Sequence, residues 1–258
     1  MTALSTDGLP PRRFEHTWTG SEGSWAYDLW GDSGRPVLLL HGPTFDRTMW
    51  WPVAAELVDE CTVLAVDLPG HGGSPGRASY KLAELVADLA HLIAGLGRRQ
   101  APVVVGHSVS AVLACLLAAH VRVRATVVVA QSLDIRALAG GLPDTADLRG
   151  LLPEARLDTV PAAYRDLVAP DDNDRRLADS LSWMAGLTPG EAQQVVDDAL
   201  RRIHTPHLSV FGDQPDPGYP DWLRRLVPSS RCVVYPHTGL FPHLHDVSRF
   251  AADLRELL

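Results

Sequence analysis

The sequence predicts an α/β fold, a mostly parallel sheet flanked by helices with a helical cap inserted near its end. Three observations predict it. Continuous apolar runs at residues 37–40, 62–66, 103–105 and 125–130 read as strands buried on both faces, the mark of parallel pairing. Segments of helical period separate them, and strands alternating with helices build a sheet covered on both sides. The strand pattern then lapses over residues 134–202 and resumes at 207, as an insertion between two strands would make it.

Residues 14–18 and 25–30 alternate apolar and polar around Gly20-Ser21-Glu22-Gly23, which predicts a β-hairpin at the sheet's edge. The strand at 37–40 ends in His41-Gly42-Pro43-Thr44, and Asp46 opens a helix to Leu57. The strand at 62–66 runs into a glycine-dense loop, Asp67-Leu68-Pro69-Gly70-His71-Gly72-Gly73-Ser74. From Leu82, apolar residues recur at Leu85, Val86, Leu89, Leu92, Ile93 and Leu96 as one helical face, and Gly97 ends it. After the strand at 125–130, residues 134–202 are rich in charge and proline. Within them Thr188-Pro189-Gly190-Glu191 is a capping box with proline in the first turn, opening a helix to Arg202. Leu181, Trp183, Met184 and Leu187 are candidates for the ceiling of a pocket or for glue between cap and core. A strand at 207–211, a helix at 220–227, a strand at 231–235 and a terminal helix from Val247 complete the pattern. The expected division is a core of residues 1–133 and 203–258 and a cap of residues 134–202.

A chain of 258 residues is long enough for one such domain with its insertion. Its formal net charge of −8 speaks against nucleic acid or an anionic membrane as partner. Cys61, Cys115 and Cys232 lack metal-ligand spacing and read as reduced residues of a core. The opening residues carry no basic-then-apolar leader pattern, and the most apolar stretch, 103–119, is broken by His107, Ser108 and Ser110. A cytoplasmic protein is expected, and the heavy use of Ala, Arg and Leu suits a GC-rich bacterial source. No phosphate loop, dinucleotide fingerprint or ligand cluster occurs, so neither cofactor nor metal is expected.

Chemistry concentrates at Val103-Val104-Val105-Gly106-His107-Ser108-Val109-Ser110-Ala111. A β-branched run meets Gly106, Ser108 follows, and a helix of small residues begins at once. Such an elbow strains the serine's backbone and exposes its Oγ at the sheet's carboxyl edge. The residues two before and two after the serine must be small, which Gly106 and Ser110 satisfy. The other motifs fall in a consistent order. They are His41-Gly42, the loop at 67–74, Gly212 with Asp216-Pro217, and Phe241-Pro242-His243-Leu244. Together they make the chain resemble the α/β-hydrolase superfamily over nearly its whole length. The elbow alone is also similar to that of the plant strigolactone and karrikin receptors and their bacterial relatives.

The resemblance implies the α/β-hydrolase fold and a set of roles. Ser108 would be the nucleophile and the Val109 N–H one oxyanion donor. Asp216 would be the acid, one residue later than usual, with Asp213 and Asp134 as alternatives. Two positions depart from the family. Pro43 stands where the second oxyanion donor belongs and has no N–H, leaving Thr44 or a side chain to substitute. Losing one such donor costs on the order of 3 kcal/mol of transition-state stabilisation. The family's Gly-His-Phe-Pro-His reads Gly239-Leu240-Phe241-Pro242-His243, so Leu240 occupies the place of the catalytic histidine. His237, His243 and His245 are the nearby alternatives, while His41 and His107 are expected to pack around the elbow. Without a base, a serine hydroxyl is a poor nucleophile. Three readings stay open, each taking a small, largely apolar molecule. The first is a serine hydrolase of esterase, lactonase or thioesterase type with a degenerate triad. The second is a non-hydrolytic cyclase, lyase or rearrangement catalyst, and the third a receptor-like binder without turnover.

Overall fold

The computed structural model describes residues 14–21, 23–97, 99–136, 160–168 and 187–258. Their strands form one eight-stranded sheet of order β1-β2-β4-β3-β5-β6-β7-β8. The hairpin β1 (Phe14–Gly20) and β2 (Gly23–Trp30) lies at one edge, antiparallel to itself and to β4 (Cys61–Val66). The other strands, β3 (Arg35–Leu40), β5 (Val103–His107), β6 (Ala125–Val129), β7 (His207–Phe211) and β8 (Ser230–Val234), run parallel to β4. The predicted strands are all present, within two residues of their expected ends.

Burial on both faces explains the runs. Alternate residues of one strand enter different cores: Val103 and Val105 face one side, and Val104 the other. The first side is covered by α1 (Trp51–Leu57) and α7 (Val247–Arg255). The second is covered by α2 (Leu82–Gly95), α3 (Ser110–His120), α4 (Pro189–Leu200) and α5 (Tyr219–Leu226). The helix expected from Asp46 is two elements. Asp46 caps a 3₁₀ turn, Arg47–Trp50, and Pro52 then starts α1, because proline suits a first helical turn. A short helix, α6 (Pro242–His245), sits in the segment expected to be a loop.

Only parts of the expected cap are described. The capping box at Thr188 is formed in both directions. The helix it opens, α4, buries Ala192, Val196 and Leu200 against Val112, Cys115 and their neighbours, so it belongs to the sheet's flanking layer. Gln193 fastens it: its Oε1 accepts from Ile135 N–H at 2.7 Å and its Nε2 donates to Leu133 O at 3.2 Å. Residues 160–168 hold a 3₁₀ turn, Ala162–Leu167, which joins the same cluster as Phe45, Trp50 and Phe241. Leu181, Trp183 and Met184 lie outside the described residues, as does most of the expected cap. No described helix is long and apolar enough to cross a membrane.

Strand register gathers the site. Leu40 pairs with Gly106 and His107 with Val129, so the carboxyl ends of β3, β5 and β6 lie side by side. A buried ion cluster braces the flanking loops. Arg47 contacts Asp28 through Nε at 3.1 Å, pairs with Asp67 through Nη1, and reaches Glu15 at 3.3 Å. Asp67 also accepts from the Gly73 N–H at 2.7 Å, tying the glycine-dense loop to the turn after β3.

Candidate active site

The elbow is built by close packing. Ser108 has φ +52°, a left-handed conformation that a non-glycine residue adopts only when its surroundings enforce it. Its N–H donates to Val129 O at 2.9 Å, and its carbonyl accepts from Ala111 N–H at 2.8 Å. A Cβ at Gly106 would stand 2.3 Å from the Ser110 carbonyl oxygen, so the helix passes too near for any side chain there. Ser110, where the family prefers glycine, donates its hydroxyl to the His41 carbonyl and ties the head of α3 to the end of β3.

The loop after β3 lies against this turn. A Cβ at Gly42 would stand 2.6 Å from His107 Nδ1 and 3.1 Å from Ser108 Cβ. Pro43 and Val109 line the same small apolar cavity, about 40 Å³, with Leu68, Leu85 and Leu113. The Val109 N–H, at the head of α3, has no acceptor among the described residues. Thr44 has φ +66°, and its buried Oγ1 has no partner among them either. Two donors therefore stand without acceptors beside Ser108's loop.

The chain has eleven histidines, and every one lies in the described residues. His41 donates from Nδ1 to Gly42 O at 2.8 Å and accepts from Leu68 N–H at Nε2, 2.9 Å. His71 packs on it with ring centroids 5.0 Å apart and holds Pro69 O at 3.1 Å. His107 points to the far side of the elbow, where its Nε2 donates to Leu240 O at 2.7 Å. Phe45, Trp50, Phe241 and His243 enclose its ring. Burial drives its pKa down to about 4, against an upward pull from the Leu240 carbonyl. His243 is buried 4.5 Å from the Trp50 ring and 5.2 Å from His107, centroid to centroid, with neither nitrogen partnered among the described residues. Burial, then His107, holds it well below the ordinary imidazole value. His237 and His245 are exposed, His237 at φ +66°. The rest lie on β1, within α2, at the end of α3, or at the amino end of β7. None hydrogen-bonds to Ser108, whose hydroxyl has no partner among the described residues.

Leu240 is half-buried and packs onto the cluster of Phe45, Trp50 and Phe241. Of the carboxylates, Asp216 is exposed, and it accepts from Gly218 N–H at 2.8 Å to shape the turn into α5. Asp213 follows Gly212, which bridges to Gly239, so it stands next to the loop that carries Leu240. Asp134 pairs with Arg136, whose side chain holds the carboxyl below its ordinary range. Two features escaped the sequence reading, the Ser110 hydroxyl on His41 O and the His107 ring on Leu240 O. Only the spacing of small residues hinted at the first, and nothing in the sequence at the second.

The alpha/beta hydrolase family model matches residues 37–253. The chain belongs to the alpha/beta hydrolase family. It is 27% identical over 253 residues to a pimeloyl-[acyl-carrier protein] methyl ester esterase of Neisseria meningitidis, covering 88% of this chain and 94% of that protein. A local match, 40% over 73 residues, is to a fluoroacetate dehalogenase of a Burkholderia species, and it spans 26% of this chain and 24% of that one. Among solved structures, E-2-(acetamidomethylene)succinate hydrolase superposes with a TM-score of 0.71 at 22% identity, over 95% of this chain and 99% of the other. That last likeness speaks for the fold alone.

Proposed function

We propose that this member of the family converts a small, largely apolar molecule without an imidazole-activated serine, using Ser108 as a hydrogen-bond donor at the floor of its pocket. One observation carries the reading: all eleven imidazoles are accounted for, and none bonds to Ser108. An unactivated hydroxyl keeps its proton near neutral pH and donates it to an acceptor. With the Val109 N–H and the unpartnered Thr44 Oγ1, Ser108 supplies donors for a ligand carbonyl or hydroxyl oxygen. Apolar residues of the neighbouring cavity, Leu68, Leu85 and Leu113, would help keep water from a bound ligand. Cyclisation, elimination and rearrangement profit most from such orientation and desolvation. The free cysteines suit a reducing compartment, so we place the protein in the cytoplasm.

A second reading, a serine hydrolase of esterase, lactonase or thioesterase type, is favoured by the elbow. The positive φ of Ser108 and the Val109 N–H at a helix head are what acyl transfer needs. The ester-hydrolysing relative from Neisseria meningitidis supports it too. Labelling by a fluorophosphonate probe decides between the two, together with turnover of aryl esters. Slow or absent labelling and poor turnover are expected. Rapid stoichiometric labelling that Ser108→Ala abolishes would put the second reading first. Receptor-like binding without turnover would show as saturable ligand binding with no product from any ligand bound.

A further inference from the structure

The opposite edge of the sheet carries an unassigned site. The segments entering β3, β5, β6 and β7 gather there, because Val103 pairs with Ala125 and Thr126 with His207. They line an open cleft of about 800 Å³. Clefts that hold small molecules run from about 300 to 1,000 Å³. Arg35, Arg99, Arg122, Arg124, His204 and Gln100 line it, and among the described residues no carboxylate side chain does. In a chain with 31 acidic and 23 basic residues this is a marked segregation of charge.

The four arginines of the cleft have no carboxylate side chain as partner among the described residues, whereas several elsewhere do. Arg77, Arg136, Arg201, Arg224 and Arg255 each lie within 4.0 Å of a carboxylate. Arg35 instead donates to Ala101 O at 2.8 Å, and its buried Nε has no partner among the described residues. Arg124 donates from Nε to an oxygen of Leu258, the last residue of the sequence, at 3.3 Å, so its charge is partly met. Arg99 and Arg122 are exposed and make no hydrogen bond or ion pair among the described residues. Helix ends account for part of this charge. The carboxyl ends of α2 and α3 reach the cleft, and each carries roughly half a negative elementary charge. Together they offset about one guanidinium of the four.

We propose that this cleft binds a small molecule bearing a diphosphate group. The cluster of forked guanidiniums offers the paired donors that adjacent phosphates accept bidentately, and a concave site of this size admits a small molecule. The site lies across the sheet from Ser108 and stands independently of the function proposed above.

Isothermal titration of the whole protein with inorganic pyrophosphate, at fixed ionic strength, tests it. One saturable site is expected. Arg99→Glu and Arg122→Glu should each weaken it at least tenfold, whereas Arg224→Glu on α5 should leave it unchanged. Arg99→Gln and Arg122→Gln, checked for fold by circular dichroism, should give smaller losses in the same direction. ADP in a parallel titration separates two sources of the group: tighter than pyrophosphate means that a nucleoside is read as well, equal means the diphosphate alone. Absence of saturable pyrophosphate binding would overturn the proposal. So would affinity unchanged in both glutamate variants, or citrate binding as tightly as pyrophosphate.

Discussion

Two segments meet at the centre of the sheet's carboxyl edge, the elbow around Ser108 and the loop of residues 236–245. In the elbow each chemical detail is also a packing detail. Gly106 clears the Ser110 carbonyl, Ser110 ties β3 to α3, and Ser108 takes its φ from both neighbours. In the loop the two are separate. Its path is held by main-chain contacts, the Gly212–Gly239 bridge and the bond from His107 to the Leu240 carbonyl. The side chain at 240 takes no part in them. Where a residue serves the fold and the chemistry together, close packing restricts it to small side chains such as Gly106 and Ser110. At position 240, whose side chain lies outside those main-chain contacts, the residue is leucine.

Gly106→Val breaks this contrast on the side of the elbow and should have the largest effect. The added Cβ meets a backbone oxygen that cannot rotate away, so a loss of about 4 kcal/mol or more in urea unfolding is expected. Gly190→Ala, whose Cβ meets nothing, should change stability by less than about 0.5 kcal/mol.

Acid titration probes the layer beneath the contact. His107 is held near 4 when folded and returns to about 6.5 when unfolded, so the unfolded chain binds the proton first. Its stabilisation is complete above pH 6.5 and disappears as pH falls toward 4, about 3 kcal/mol in all. His207, also buried to about 4, adds a decline in the same window. Urea midpoints at pH 7.5, 6 and 5 should fall in that order. A flat profile would mean that these rings are not buried neutral.

Leu240→His sharpens the contrast on the side of the loop. It places an imidazole on a main chain already positioned, and aryl-ester turnover should rise by about tenfold or more, partially restoring general-base catalysis. Pro43→Leu, which returns an N–H, should raise it further. Ser108→Ala must abolish the gain, and Asp213→Asn should cut it more than Asp216→Asn, whose carboxylate serves the Gly218 turn. A gain that survives Ser108→Ala would show that position 240 is not the place of the base. A smaller effect on the elbow is expected from Ser108→Gly, which relieves the positive φ and should stabilise the fold by about 1 kcal/mol in the same urea assay.

Much of the fold was legible because burial writes itself into composition. Strands covered on both faces, such as residues 37–40 and 103–105, can only be apolar runs, and the capping box at Thr188 names its own helix. The elbow was legible for the same reason, since Gly106 and Ser110 are steric requirements. The helix from Asp46 divided because Trp51-Pro52 starts a new one, and the short helix at Pro242 was missed because four residues carry no period. That Leu240 follows Gly239 ahead of Phe241-Pro242-His243 could be read from motif order. Where His107 and His243 point could not, because a histidine's direction is set by which shell of aromatic rings closes around it.

The tether from His107 holds Leu240 by its carbonyl, which every amino acid has. The main chain at position 240 is therefore held in place by a contact that does not involve its side chain. A change of side chain there leaves that bond intact and alters only the packing on Phe45, Trp50 and Phe241. The loop's path and the chemistry of its side chain can therefore be altered separately at this position.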